Sequence, residues 1–377
     1  MPSRARRPSP PRHASPLDAP AASDPRPLAR RRALGRLLGR LIAGAAALLP
    51  LALAPGCAEE RGAEVVVYCA LDVEFSDAIL QDFTKATGVP VRLVADNEIT
   101  KTVGLANQIK LEKEHPKADV FWNNEIVNTI RLKDYGCLEP YVSPSAADIP
   151  ASFKDRDGYW TGFAARARVF IVHESCPADR TPDSWLDYLD PAQKGKLAIA
   201  KPVAGTTATH LAVLFEKLGE AKAKEWWVGL HQNQTALLTG NAHVMRSVRA
   251  GEFAAGFTDT DDYRVAELDG YPVRCVYPDQ GEGELGCLLI PNTISLVKGG
   301  PNPALARQFI DYVLSRETEA KLAASASAQI PVRADVPAPP HVRRIGAFKV
   351  MEVDFEKAAS HFDAAQAWLT TPGVPGK

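Results

Sequence analysis

Short runs rich in β-branched and aromatic residues alternate along the chain with longer segments whose apolar residues recur every three or four positions. Residues 65–68 are strand-like, and 74–86 places four apolar side chains on one helical face, those of Phe75, Ile79, Leu80 and Phe83. The alternation continues with predicted strands at 89–94 and 118–122 and predicted helices at 99–113 and 126–132. Strands separated by helices predict an α/β fold with a parallel sheet covered on both faces.

Two long extended stretches, 162–172 and 285–297, interrupt this alternation. Between them lies a second α/β run, with predicted strands at 197–200 and 253–257 and predicted helices at 206–218, 221–230 and 242–250. We interpret the two stretches as crossings of the chain between two lobes.

The crossings predict how the chain is divided. The first lobe is expected to comprise 64–165 and 285–338, with helices near 303–314 and 317–324. The second lobe is expected to comprise 166–284 and 339–372, which ends in a helical pattern at 355–369.

The N-terminus is typical of an export signal. Residues 1–40 carry ten arginines and two acidic residues, and 41–56 is uncharged but too short for a membrane span. Cys57 follows a small residue, and Ala54 to Cys57 resembles a lipobox, so 1–56 is predicted to be removed and Cys57 lipidated. Residues 57–63 would then be a tether to the membrane, and the protein would be exported, periplasmic or on the cell surface. The alternative is ordinary cleavage after Ala54.

Without this leader the chain is acidic. The residues after Gly56 carry 34 basic and 43 acidic side chains, a formal charge of −9. Such a balance is unfavourable for binding nucleic acid, which needs a basic face. Five cysteines follow Cys57; Cys275 and Cys287 flank a turn-rich stretch and can pair across it, or they can be buried thiols.

Three aspartates, Asp259, Asp261 and Asp262, follow the strand-like run 253–257 within a few residues. One of them can cap the helix that follows, because a carboxylate accepts the free N–H groups of a first helical turn. Three carboxylates need further compensation by a cation, a ligand amine or arginines from elsewhere in the chain.

Basic and small residues indicate an anion site. Residues 201–207 lead from a strand into a helix, so the N–H groups of Gly205, Thr206 and Thr207 would face an anion at the helix N-terminus, unless a threonine is only a cap. Arg166 and Arg168 are two apart on a strand and point to the same face, where they can clamp a carboxylate or phosphate or pair with the acidic stretch.

An exported hydrolase is the rival function class. The sequence has no HExxH or GxSxG motif, and its GxGxxG match at 281–286 precedes a strand instead of opening a helix. Trp122 ends a predicted strand and Asn123 and Asn124 follow it, at the end where ligands of open α/β sheets bind, so all three are candidate cleft residues.

Four segments along the chain carry a family resemblance. They are VVVYCALDVEFSDAILQDFTKATGVPV (65–91), ADVFWNNEIVNTIRLKDYGCLEPY (118–141), GFAARARVFIV (162–172) and IPNTISLVKGGPNPALARQFIDYVLS (290–315). Together they resemble the ferric-iron-type extracellular solute-binding proteins of ABC importers. The resemblance implies a two-lobe, type II-like periplasmic-binding-protein fold with a ligand cleft and crossover hinge strands. It also implies a monomeric binding protein, not an enzyme, that serves a membrane permease and its ATPase subunits.

The resemblance also implies ligand positions. The iron-binding members use an acidic residue or histidine after the first strand, an acidic residue after the third strand, and two adjacent tyrosines. Here these positions correspond to Asp72 with Glu74 nearby, to Asn124 with Glu125 one residue later, and to Asp261 with Asp262. A synergistic anion would lie on Gly205, Thr206 and Thr207 with Arg166 or Arg168.

The tyrosine pair is replaced by aspartates, which removes the strongest ferric ligands. Carboxylates are still hard donors for Fe(III), Mn, Ca or Mg. The sequence therefore predicts capture of ferric iron or another hard cation, with or without a synergistic anion. The alternative ligand is a small organic anion, such as a phosphonate, phosphate ester or carboxylate, whose amine pairs with Asp261 or Asp262.

Overall fold

The computed structural model describes residues 63–95 and 103–375. The predicted export signal, Cys57 with residues 58–62 of the tether, and the segment 96–102 lie outside these residues. The described part contains ten strands: β1 (Val65–Cys69), β2 (Val91–Ala95), β3 (Val120–Asn123), β4 (Leu138–Glu139), β5 (Thr161–His173), β6 (Leu197–Ala200), β7 (Ala236–Leu238), β8 (Ala255–Asp259), β9 (Val273–Val276) and β10 (Leu289–Val297).

Ten α-helices are present in the same described part of the chain. They are α1 (Val73–Thr87), α2 (Val103–Leu111), α3 (Val127–Asp134), α4 (Gly205–Leu218), α5 (Glu220–Gln232), α6 (Asn241–Arg249), α7 (Thr260–Leu268), α8 (Pro303–Val313), α9 (Arg316–Ala324) and α10 (Phe355–Leu369). The predicted alternation of strands and helices is confirmed, and α10 begins and ends where the helical pattern predicts.

The strands form one continuous mixed sheet in the order β2-β1-β3-β10-β5-β8-β6-β7, with β4 beside β10 and β9 beside β5. The pairs of β1 with β2 and β3, and of β6 with β7 and β8, are parallel as predicted. The two long strands β5 and β10 run antiparallel to all their neighbours. The sheet is therefore not wholly parallel, because the crossing segments return in the opposite direction.

Strand β5 joins the two halves of the sheet. Its first half pairs with β10, whereas its second half, from Arg168 onwards, pairs with β8 and β9. We call the half built around β1 to β4 and β10 the first lobe, and the half built around β6 to β9 the second lobe. The residue boundaries predicted for the lobes stay a prediction.

Each half has its own apolar core. In the first, Phe83 of α1 packs edge-on against Phe309 of α8, with ring centroids 5.1 Å apart. In the second, Trp226 and Trp227 of α5 are buried with Trp185 and Tyr188, so these tryptophans are core residues.

Cys275 and Cys287 carry free thiols. The pairing of Cys275 with Cys287 considered from their spacing is therefore wrong; Cys287 is a buried thiol, as the alternative had it, and Cys275 is half-buried. Cys287 is fully buried and its Sγ lies 3.0 Å from the carbonyl oxygen of Arg168, inside the sheet. Within residues 63–95 and 103–375, none of the helices combines the length and apolar character that a membrane crossing requires.

Candidate ligand cleft

A small cavity of about 70 Å³ lies between the two lobes. Asp72 and Asn124 of the first lobe line one side, where they follow β1 and β3. Arg166 of β5 and the loops that precede α4, α6 and α7 line the other sides. A larger outer cavity of about 490 Å³ shares Asp72, Asp261 and Asp262 with it and also includes Glu74. The structure thus brings predicted residues from distant parts of the sequence into one cleft.

Three helix N-termini meet at the inner cavity. Gly205 begins α4, Asn241 begins α6 and Thr260, next to lining residues Asp259 and Asp261, begins α7. The first N–H groups of a helix have no intrahelical acceptor and carry a partial positive charge. Their convergence creates a surface that favours an anion, as a phosphate or carboxylate at a helix N-terminus does.

Gly205 is required by its backbone conformation. Its φ angle of 61° lies in the left-handed region, while Ala204 before it is extended. A Cβ atom at Gly205 would meet no atom within 4 Å, so a side chain here is disfavoured by backbone strain and not by a clash. This turn directs the N-terminus of α4 towards the cavity.

Arg168 organises the second lobe's wall of the cleft. Its guanidinium is fully buried and donates to Asp259 Oδ1 at 2.8 Å, to Thr206 Oγ1 at 3.1 Å and to Thr207 Oγ1 at 3.2 Å. Asn241 Nδ2 donates to Asp259 Oδ2 at 2.9 Å and to Thr206 Oγ1 at 2.7 Å. Strand β5, strand β8 and the starts of α4 and α6 are therefore tied into one polar network. Arg168 itself does not line the cavity and acts through these neighbours.

Arg166 lies two residues earlier on the same face and does line the cavity. Its Nη1 is 3.0 Å from Asp261 Oδ2 and 3.6 Å from Asp259 Oδ2, so the second of the two alternatives, pairing with the acidic stretch, is observed for Arg166. Burial by itself lowers the pKa of Arg166, but the charges of Asp261 and Asp259 raise it above its ordinary value. Its Nε and Nη2 are buried and have no hydrogen-bond partner among the described residues. Three N–H groups of a cation, one on Nε and two on Nη2, thus remain for a bound group.

The three aspartates do lie together. One carboxylate oxygen from each of Asp259, Asp261 and Asp262 can be chosen so that all three lie within 4.8 Å of one another. Asp259 stands at the N-cap of α7, yet its carboxylate does not cap that helix and is used by the arginine network. Burial raises the pKa of Asp259, but Arg168 and Arg166 outweigh burial and hold it below its usual value. Arg166 and Arg168 therefore relieve part of the repulsion among the three carboxylates.

Glu125 differs from the other predicted ligand residues because it does not line either cavity. Its carboxylate is fully buried and accepts four hydrogen bonds, from Asn123 Nδ2, Thr209 Oγ1 and the backbone N–H groups of Val127 and Asn128. It caps α3 and connects that helix to α4. Asn124, in contrast, turns towards the cavity, and its Oδ1 lacks a partner among the described residues.

Trp122 and Asn123 are not cleft residues. Trp122 is fully buried in the first lobe's core, where its ring packs edge-on against Phe163. Asn123 supports Glu125 from within the sheet. Side chains alternate across a strand, but only the residue beyond its end reaches the cleft.

The sequence did not indicate Asn241, Thr239 or Gly240, which line the cavity at the start of α6. The sequence carries a weak indication of this helix start, because Thr239 and Gly240 separate the short strand β7 from a helix in the same way that Ala204 precedes α4. Strand β7 has three half-buried residues and lacks a distinctive pattern.

The family model for bacterial extracellular solute-binding proteins matches residues 78–350, which is most of the chain. This chain belongs to that family. The match includes parts of both lobes, β5 and the aspartates Asp259, Asp261 and Asp262, and it agrees with the resemblance carried by the four sequence segments.

Individual relatives have different ligands in their names. The major ferric iron-binding protein of Neisseria meningitidis is 27% identical over 78% of this chain and 86% of its own length. A Salmonella typhi periplasmic protein named for 2-aminoethylphosphonate binding is 27% identical over 67% of this chain and 73% of its own length. The crystal structure of iron-bound HitA from Pseudomonas aeruginosa superimposes with a TM-score of 0.74 at 23% identity, over 82% of this chain and all of that one. This superposition shows the two-lobe periplasmic-binding-protein fold.

Proposed function

We propose that this protein is the solute-binding component of an ABC importer, and that its solute presents a positive centre next to an anionic group. The observation that carries this proposal is the cavity between the lobes, where Arg166 has three unpartnered N–H groups, on Nε and Nη2, beside the starts of α4 and α6. These groups would hold the anion. Asp72, Asp261 and Asp262 would hold the positive centre.

A hard cation with a synergistic anion fits this description. Oxygen donors from Asp72, Asp261 and Asp262 suit ferric iron or another hard cation, and Asn124 Oδ1 adds a neutral oxygen. The anion would occupy the starts of α4 and α6 with Arg166. The ferric names of several relatives support this reading.

A single organic molecule with an amine and a phosphonate or phosphate group is the second candidate ligand. One observation favours it: Arg166 and Arg168 already neutralise part of the charge of Asp259 and Asp261, which leaves less negative charge for a trivalent ion. A monovalent ammonium needs less compensation. The relative named for an aminophosphonate supports this reading.

Calorimetry on metal-free protein is the experiment that separates these ligands. The panel would contain ferric citrate, Mn²⁺, Ca²⁺, inorganic phosphate, 2-aminoethylphosphonate and simple phosphate esters. A ligand should also compact the protein in small-angle scattering, because two-lobe binding proteins close on their solute. Absence of heat and of compaction with every member would contradict the proposed ligand chemistry.

We propose further that the protein is not an enzyme, and that it is exported as a monomer and anchored by lipid on Cys57. Replacement of Cys57 by Ser should release it from the membrane fraction of a host that processes lipoproteins. A wild-type protein that is already soluble and begins at Pro55 would overturn the anchor. Sustained hydrolysis of ester, phosphate or peptide substrates by pure protein would overturn the binding role.

A further inference from the structure

The C-terminal helix α10 contacts both lobes close to the ligand cleft. On one side it lies against α3, which follows Asn124, and on the other against α4, which begins at the anion surface. Small and aromatic side chains join the three helices in one buried apolar cluster that includes Ile130, Ala208, Ala212, Ala359 and Phe362. Helix α10 is thus packed behind two of the elements that form the site.

Polar contacts attach α10 to the first lobe. Arg131 of α3 donates to Asp363 Oδ1 at 2.5 Å, and its guanidinium carbon lies 4.4 Å from the centre of the Phe362 ring. Lys133 of the same helix lies 3.3 Å from Glu356 Oε1. Arg131 is largely buried against Phe362 whereas Asp363 is 69% exposed, so the ion pair lies at the edge of the cluster and the stacking of Arg131 on Phe362 adds to it.

A separate contact attaches α10 to the anion surface of the second lobe. Gln366 Nε2 donates to the carbonyl oxygen of Pro202 at 2.7 Å. Pro202 lies in the 201–204 segment, immediately before Gly205, whose turn directs the first N–H groups of α4 towards the cavity. Gln366 is itself outside the set of residues that line the cavity.

We infer that Gln366 is a positioning residue for the anion-binding loop and that Arg131, through Asp363, holds the helix that carries it. The inference rests on the proposed function, since it assigns α10 a role in presenting the N–H groups of α4 to the solute. Proline cannot donate a backbone hydrogen bond, so the loop at Pro202 depends more on its carbonyl for attachment. A fixed loop reduces the ordering that a ligand would otherwise have to impose.

The first test needs no ligand. Gln366→Met keeps the size of the side chain but removes the donor, whereas Gln366→Lys restores a donor, and Ala364→Gln changes an exposed site on the same helix as a control. NMR order parameters of the backbone at Val203 to Thr206 should fall from about 0.85 to below about 0.7 in Gln366→Met. They should stay high in the lysine and control variants. Unchanged order in Gln366→Met would overturn the inference.

The second test measures binding of inorganic phosphate and 2-aminoethylphosphonate, or of ferric citrate if calorimetry shows that the wild type binds it. Gln366→Met should raise the dissociation constant of whichever of these ligands binds about three- to fivefold, the effect of one hydrogen bond, and Gln366→Lys should return it to the wild-type value.

The single variants Arg131→Glu and Asp363→Arg should each also lower the loop order parameters, and the double variant should restore them. If wild type binds nothing while the order parameters change as expected, the proposed ligand chemistry fails but the positioning role stands. If wild type binds and Gln366→Met binds equally well, the positioning role fails.

Discussion

The two walls of the cleft are built differently. The second lobe's wall is a buried network in which Arg168 and Asp259 tie together two strands and the starts of two helices. The first lobe's wall offers Asp72 and Asn124 at the ends of two strands, while the buried Glu125 next to Asn124 accepts from the first N–H groups of α3. The second lobe therefore carries the preorganised part of the site.

This difference indicates an order of events. A solute would bind first to the second lobe, where donors are already fixed, and closure would then bring Asp72 and Asn124 against it. Substitutions in the two walls should accordingly differ in size and in kind. Four predictions, from the largest effect to the smallest, test that contrast.

Removal of the buried network hub should have the largest effect, on stability. Arg168→Met leaves the buried Asp259 carboxylate with only the more distant Arg166, at 3.6 Å, as a charged partner among the described residues, and should lower the free energy of unfolding by about 3–5 kcal/mol. Denaturant unfolding measures this. Arg92→Met is the matched control, because Arg92 pairs with Glu64 at the first lobe's surface and should change stability by less than about 1 kcal/mol. Equal losses of stability in Arg168→Met and Arg92→Met would contradict the difference between the two walls.

Removal of Arg166 should mainly affect binding. Arg166→Met deletes two spare donors to the solute's anionic group, and each charged hydrogen bond contributes about 1.5–3 kcal/mol. We expect the dissociation constant for the solute found by calorimetry to rise about 100-fold or more. Circular dichroism would verify the fold. An affinity within threefold of wild type would contradict an anion site at Arg166.

Neutralisation of the first lobe's carboxylate should have a smaller effect on binding. Asp72→Asn should raise the dissociation constant of the solute about tenfold. Asp72 would contact the solute only after closure and would share its positive centre with Asp261 and Asp262. Compaction in small-angle scattering should also require more solute. Asp77→Asn on the exposed face of α1 is the control. A loss as large as that of Arg166→Met would mean that the two walls contribute equally.

The smallest expected effect is a pH dependence that originates in the second lobe. His210 of α4 is the buried histidine among the described residues, and burial, assisted by the charge of Arg168, holds its pKa well below 6.5. Below pH 6.5 the unfolded chain takes up a proton at this position and the folded chain does not, so stability falls as the pH falls. The loss should be about 1 kcal/mol between pH 6.5 and 5.5.

Comparison of unfolding curves at these two pH values measures the contribution of His210 to the pH dependence of stability. His210→Leu should lack that part of the pH dependence, whereas His115→Gln, at an exposed position, should retain it. An identical pH dependence in wild type and His210→Leu would show that other groups are responsible.

The sequence by itself determined the alternation of elements, because burial imposes a period of two on strands and of about 3.6 on helices. This is why β5 and α10 lie where the pattern predicts them. Boundaries were less well defined where the pattern was short: the strand predicted at 253–257 is observed as β8, Ala255–Asp259. The grouping of Asp72, Arg166, Asp261 and the start of α4 in one cleft also followed from strand ends and from the family resemblance.

Only the tertiary structure decided how these residues are used. The register of β5 with β8 places Arg168 opposite Asp259, and no local pattern encodes a contact between residues so far apart in the chain. Glu125 and Asn124 are adjacent in sequence, yet one is saturated by donors from α3 and α4 while the other faces the cavity. Periodicity specifies which side of an element is buried, whereas the partner of a buried polar group depends on which elements pack together. The packing of the elements therefore decides which acidic residues stabilise the fold and which line the cleft.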